Sequence, residues 1–210
     1  MKQTNEAAVP ENATLTDFLR VKTVFIIDPI VTFMARVGIS PDFLTVVGML
    51  THFGFAWLIA NGRFQMAAVA MFFLVPLDAL DGSLARKLGR VQGGFGAFLD
   101  STLDRFAEII LFGGFIAFYT RQGDELMLAL AYIAITGSIM VSYTRSRAES
   151  LGFSAKIGIL SRVERYAVMM FFLVLKAPHV ALIILAVFTY FTAFQRMFHV
   201  WRQAAEKDEG

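Results

Sequence analysis

The chain has 210 residues and no cysteine, which excludes disulfide bridges and thiolate metal sites. It is 57% hydrophobic and 17% charged with a mean hydropathy of +0.61, whereas a soluble domain carries roughly 25% charged residues. That balance excludes an ordinary soluble protein and makes the lipid bilayer the expected solvent, and a formal net charge of +2 gives no ground for a nucleic-acid partner.

The first fourteen residues are polar and lack an apolar core, so no cleavable signal peptide is expected. Residues 15–37 alternate between Leu15, Phe18, Leu19, Val24, Phe25, Ile30, Val31 and Met34 on one side and Arg20, Lys22, Asp28, Thr32 and Arg36 on the other. This mixture suits an amphipathic juxtamembrane helix lying in the interface. Asp28-Pro29 is a cap followed by proline at the first helical position, and Ser40-Pro41 repeats that start signal after Gly38.

Six segments then follow that can cross a hydrocarbon core, a task needing roughly 20 helical residues: 43–60, 64–85, 96–119, 126–148, 163–177 and 179–200. Asn61-Gly62, Gly123-Asp124 and Ala177-Pro178 read as tight turns, whereas 86–95 and 149–162 are longer polar loops. Pro76 is expected to loosen the second span locally, because it lacks an N–H and crowds the preceding turn. No repeat or linker divides the chain. Residues 1–210 are therefore expected to form one all-α membrane domain, a juxtamembrane helix at 15–37 followed by a six-span bundle at 43–200.

Of the 19 Lys and Arg residues, only Arg63, Arg121 and Lys176 fall on the side of the tight turns. By the positive-inside rule, both termini and both long loops face the cytoplasm, in a multi-pass protein of the cytoplasmic membrane.

Four carboxylates stand at that face, Asp78, Asp81, Asp100 and Asp104. Ionisable groups in or beside a bilayer core are costly and mark function, and four together need a cation. Asp78 and Asp81 are spaced i, i+3 and Asp100 and Asp104 i, i+4, so each pair shares one helix face. Aspartate oxygens without Cys or His select a hard cation such as Mg²⁺ or Mn²⁺. Two such ions form a clamp for displacement at phosphorus. Gly82 and Ala85 leave room for a ligand against the helix backbone, and Arg86 can give phosphate a bidentate pair of hydrogen bonds.

The string Asp78-Ala79-Leu80-Asp81-Gly82-Ser83-Leu84-Ala85-Arg86, followed by Gly96, Asp100 and Asp104, resembles the signature of the CDP-alcohol phosphotransferase family at all of its specified positions. The resemblance implies an N-terminal amphipathic helix, six spans, a homodimer and a cytoplasm-facing polar cavity. It also implies a reaction in which a CDP-linked lipid, usually CDP-diacylglycerol, gives its phosphatidyl group to an alcohol and releases CMP. Asp78, Asp81 and Asp100 would then be metal ligands, with Asp104 a fourth ligand and the general base. Asp78, Asp81, Gly82, Ala85 and Arg86 would hold the CDP-lipid. Gly96 reads as a close-packing position between helices.

A second basic cluster, Arg145, Arg147, Lys156, Arg162 and Arg165, surrounds the loop between the fourth and fifth spans, with Arg196 near the end of the sixth. These charges can be topogenic or can meet anionic headgroups, at about 1 kcal/mol each. Beside an acidic metal site they also suit an anionic acceptor. The segments Pro41-Asp42-x2-Thr45, Ser142-Tyr143-x-Arg145-x-Arg147-Ala148-Glu149, Arg162-x-Glu164-Arg165 and Gln195-Arg196 resemble those of the prokaryotic phosphatidylinositol phosphate synthases. That likeness implies inositol 1-phosphate as the phosphorylated polyol acceptor, its phosphate bound by Arg145, Arg165 and Arg196. Glycerol 3-phosphate, serine and free inositol are the alternative acceptors.

His52, within an apolar span, reads as a hydrogen-bonded packing residue, and His179 lies at the far face. The 22 phenylalanines and ten methionines read as lipid-facing and interhelical packing, and residues 206–209 as a solvated tail. A cation transporter would hold its carboxylates near the midplane and have no use for Gly82, Ala85 and Arg86 beside them. An intramembrane prenyltransferase would carry more spans and two separate aspartate-rich motifs.

Overall fold

The computed structural model describes residues 28–89 and 94–208. Among them the backbone forms eight α-helices, one short 3-10 turn and no strand. The helices are α1 (28–37), α2 (Pro41–Ala60), α3 (Phe64–Leu74), α4 (Asp78–Lys87), α5 (Phe95–Gln122), α6 (Glu125–Ser150), α7 (Arg162–Val174) and α8 (Pro178–Asp208). Residues 15–27 of the expected juxtamembrane helix and residues 90–93 of the first long loop lie outside the described residues, as does residue 209 of the tail.

The helix ends follow local chemistry. Ser40 caps α2 by accepting a hydrogen bond from the Phe43 N–H at 3.1 Å, with Pro41 in the first turn. Gly123 ends α5 at φ 68°, a left-handed conformation that glycine reaches without strain. Asp124 then starts α6 by accepting from the Met127 N–H at 3.0 Å.

Several expected boundaries change. The segment 64–85 is not one helix: α3 stops at Leu74, Val75–Leu77 form the 3-10 turn, and α4 begins at Asp78. Pro76 sits in the middle of that turn, where its missing N–H breaks the i to i−4 ladder. The last helix runs on to Asp208 rather than ending near residue 200, so Glu206 and Lys207 are helical. α7 ends at Val174, three residues before the expected limit.

Among the described residues, three helices are long and apolar enough to cross a membrane: Pro41–Ala60, Glu125–Ser150 and Pro178–Lys207. Phe43, Phe53, Trp57, Phe72, Phe194 and Phe198 are all more than half exposed. Water would not tolerate so much bare apolar surface, whereas hydrocarbon suits it. The protein is an integral membrane protein.

The largest helix contacts are α2 with α5 and α6 with α8, while α3 packs on α7 and α2 on α4. The core runs through them as Phe55, Met71, Leu111, Phe115, Tyr166 and Leu182. α2 and α5 approach closely because Gly114 has no side chain: a Cβ there would lie 2.6 Å from the Ala56 carbonyl oxygen. A smaller cluster of Val31, Leu80 and Leu84 seats α1 against α4. Lys87 Nζ adds a 2.8 Å ion pair to Asp28. The described part of the juxtamembrane segment therefore buttresses the helix that bears the first two aspartates.

Candidate active site

Asp81 stands on α4 and Asp100 and Asp104 on consecutive turns of α5, and α2 packs against both helices. These three carboxylates line one cavity with Thr45 and Met49 of α2, Leu103 and Ala107 of α5, and Arg162 of α7. Asp78 is the first residue of α4, but its side chain lies outside the described residues. Asp81 is only 8% exposed, and its Oδ2 accepts a hydrogen bond from Thr45 Oγ1 at 2.7 Å. Burying a carboxylate is costly unless donors meet it, and Thr45 supplies one.

Gly82 and Ala85 are partly buried on the same helix, whereas Arg86 is exposed and donates through Nη2 to Ser83 Oγ at 2.9 Å. Gly96 packs against α2, since a Cβ at that position would lie 3.2 Å from Asp42 Oδ1.

Two ion pairs join α5 to α7. Arg162 Nη1 meets Asp104 Oδ1 at 2.7 Å, with both side chains partly exposed. One helical turn deeper, Arg165 donates to Glu108 Oε1 through Nε at 3.2 Å and through Nη2. Arg165 also donates through Nη1 to the Leu160 carbonyl at 3.2 Å. Tyr166, next on α7, reaches His52 Nε2 at 2.8 Å, while His52 Nδ1 lies 2.9 Å from the Gly48 carbonyl oxygen. His52 is thus a satisfied packing residue, as its apolar span suggested. His179 lies with Tyr119, Asp124 and Lys176 around a separate hollow at the ends of α5 to α8 that carry the tight turns.

The basic residues diverge in their surroundings. Arg145 is half-exposed and paired with Glu149 at 3.0 Å, one turn along α6. Arg165 and Arg196 are 1% and 3% exposed. Arg196 donates through Nε to the Ile157 carbonyl at 2.8 Å and through Nη1 to that of Val141, tying α8 to the α6–α7 loop and to α6. Arg145, Arg165, Glu149 and Glu164 all lie within electrostatic reach of Arg196. Arg145 and Arg165 thus both lie near Arg196, but none of the three lines the cavity: two are buried among protein acceptors and Arg145 is turned to Glu149.

Two functional candidates escape the sequence. Arg162, read in the sequence as one charge of a basic loop and the first residue of the segment Arg162-x-Glu164-Arg165 but given no role, is the cation beside Asp104. Glu108 continues the i, i+4 series of Asp100 and Asp104, and an acid within an apolar span was the available signal.

The donor set around the cavity is carboxylate and hydroxyl, which suits a hard divalent cation. Among the described residues no three acidic or imidazole groups converge closely enough to hold an ion alone.

Residues 38–202 match the family model described as CDP-alcohol phosphatidyltransferase. The chain belongs to that family and is a transferase by class. It is 33% identical over 219 residues to a phosphatidylinositol phosphate synthase of Streptomyces avermitilis, covering 96% of this chain and 89% of the relative. It also resembles the crystal structure of Mycobacterium tuberculosis phosphatidylinositol phosphate synthase with CDP-DAG bound, at a TM-score of 0.76 and 32% identity, over 84% of this chain and 94% of that one. The same enzyme in complex with manganese and citrate matches at a TM-score of 0.75 and 31% identity, over 83% and 88% of the two chains.

Proposed function

We propose that the protein transfers the phosphatidyl group of CDP-diacylglycerol to inositol 1-phosphate, giving phosphatidylinositol phosphate and CMP. The observation that carries this reading is the meeting of Asp81, Asp100 and Asp104 at one cavity, in a chain with the complete aspartate signature. Support for the substrates comes from the relatives, one of them bound to CDP-DAG.

Asp78, Asp81, Asp100 and Asp104 would hold two Mg²⁺ or Mn²⁺ ions, a choice supported by the manganese-bound neighbour. When bound, the ions neutralise the diphosphate and stabilise charge on the attacking and leaving oxygens. The residues do the rest. Gly82 and Ala85 let the diphosphate approach the α4 backbone, and Arg86 offers it a guanidinium fork. Asp104 takes the proton from the acceptor hydroxyl. That oxygen then bonds to the phosphorus carrying the diacylglycerol ester, and the bond from this phosphorus to the CMP oxygen breaks with its electron pair leaving on CMP.

Arg145, Arg165 and Arg196 are the proposed cations for the acceptor phosphate. A phosphomonoester brings up to two negative charges beside four carboxylates, and cations on the far side offset the repulsion and orient the hydroxyl. A neutral polyol has no such requirement.

The wider assembly in this proposal is one domain of six spans, working as a homodimer in the cytoplasmic membrane. Both termini and the active site would face the cytoplasm. The distribution of basic residues supports that orientation.

The test offers the purified protein CDP-diacylglycerol with inositol 1-phosphate, glycerol 3-phosphate, serine and free inositol together, and follows CMP release and the lipid formed. Inositol 1-phosphate should be the alcohol attached. Preference for serine or free inositol would overturn the acceptor assignment, and no CMP release with any alcohol would overturn the reaction.

A further inference from the structure

We infer that Glu108 is a positioning residue for the acceptor half of the reaction, acting through Arg165. The inference rests on the reading of Arg165 as an acceptor-phosphate cation. Glu108 on α5 and Arg165 on α7 are 2% and 1% exposed, so neither is a surface charge held by chance. Burying a lone guanidinium beside Arg196 would be strongly unfavourable, and Glu108 is the carboxylate paired with it.

The geometry decides what the pairing does. Glu108 Oε1 takes the Nε and Nη2 donors of one edge, and the Leu160 carbonyl takes one donor of Nη1. A guanidinium has five N–H donors in a fixed fork. One is left on each of the two terminal nitrogens, and these are the donors that Arg165 has to offer an anion.

The pair also lies where the acceptor must be registered. Glu108 follows Asp104 by one turn on α5, and Arg165 follows Arg162 by one turn on α7, so two parallel bridges join the same helix faces. Fixing Arg165 against Glu108 therefore fixes its distance along α5 from Asp104, the proposed base.

The experiment measures KM for inositol 1-phosphate and for CDP-diacylglycerol in the full-length enzyme, comparing Glu108→Ala, Arg165→Gln and the double variant. Glu108→Ala should raise the acceptor KM about tenfold, the scale of a hydrogen bond to a charged group, and leave the CDP-diacylglycerol KM within about twofold. In the Arg165→Gln background, Glu108→Ala should add nothing further to the acceptor KM. Glu108→Gln, which keeps a carbonyl oxygen for Nε and Nη2, should recover most of the loss. If Glu108→Ala does not fold, Glu108→Gln is carried through the same cycle at a smaller expected effect.

The exchanged pair, Glu108→Arg with Arg165→Glu, should regain thermal stability without regaining acceptor KM. Several results would overturn the inference: both KM values rising together, an undiminished effect of Glu108→Ala in the Arg165→Gln background, or recovery of acceptor KM by the exchanged pair. The parent reading fails separately, when Arg165→Gln itself leaves acceptor KM unchanged. If Arg165→Gln raises acceptor KM while Glu108→Ala does not, Glu108 alone is reassigned.

Discussion

The carboxylates around the cavity and the cations around the α6–α7 connection are built into the helices in different ways. Asp81, Asp100 and Asp104 come from two helices at helical spacing, and they keep enough access to line a cavity. Arg145, Arg165 and Arg196 come from three helices and differ in exposure, and each is bonded to protein acceptors. An aspartate is short, so its position on a helix nearly determines what it can reach. An arginine is long and can turn toward a carbonyl or a carboxylate several residues away, so its position determines much less.

The largest expected effect falls on the acidic side. Asp100→Asn keeps the volume of the side chain and removes its charge, so CMP release should fall by about a hundredfold or more, with thermal stability little changed. Appreciable residual activity would remove Asp100 from the site and erase the contrast between the two regions.

A second prediction separates the site from its scaffold. Gly114→Ala places a Cβ 2.6 Å from the Ala56 carbonyl oxygen, on backbone that cannot move aside like a side chain. It should lower stability by about 1 to 3 kcal/mol and reduce turnover, because α2 carries Thr45 to Asp81 and packs on the helix bearing Asp100 and Asp104. Gly113→Ala is the control, since a Cβ there meets nothing within 4 Å. Thermal unfolding in detergent and CMP release check both, and equal behaviour of the two variants would mean that the α2–α5 approach is not limiting.

How far the sequence foretold this structure depends on the range of the interaction concerned. Turn and cap chemistry is local, so the starts at Pro41 and Phe95 and the turn at Gly123 lie within about two residues of the expected limits. Pro76 signalled a loosened helix, but not that the chain would pass through a 3-10 turn and restart at Asp78. The continuation of α8 through Lys207 was hidden because that stretch is polar. In the structure Lys207 Nζ sits 4.5 Å from the centre of the Phe153 ring, a contact across the fold. The aspartate signature was legible as a string, whereas Glu108 and Arg165 stand 57 residues apart and become partners only once the fold brings their long side chains within reach across α5 and α7.

The third prediction sharpens the comparison within the substrates. Arg86→Gln should raise the KM for CDP-diacylglycerol by about tenfold and spare that for inositol 1-phosphate. Arg196→Gln should show the opposite preference, though with some loss of stability because Arg196 also holds the Ile157 and Val141 carbonyls. Steady-state kinetics with each substrate varied in turn decides the matter. If both variants weaken the same substrate, the two regions do not divide the substrates between them.

The smallest effect is expected where the end of α8 holds the loop leading into α7. Gln203 makes a reciprocal pair with the Ser154 backbone, its Oε1 accepting from the N–H at 3.0 Å and its Nε2 donating to the carbonyl at 2.6 Å. Further along the same loop, Thr192 Oγ1 accepts from the Leu160 N–H at 3.3 Å, and Arg196 Nε donates to Ile157. Contacts at 192, 196 and 203 thus bind the loop along α8 at helical spacing, and the loop leads into α7, which carries Arg162 to the cavity and Arg165 to Glu108. Gln203→Ala removes two hydrogen bonds that are exposed to solvent, so the loss of stability should not exceed about 1 kcal/mol. Hydrogen exchange should rise at Ser154 and its neighbours while α7 stays protected, because Thr192 and Arg196 still hold the loop nearer its end. Exchange that spreads into α7, with a matching rise in acceptor KM, would show that the cations depend on the α8 extension as much as on Glu108.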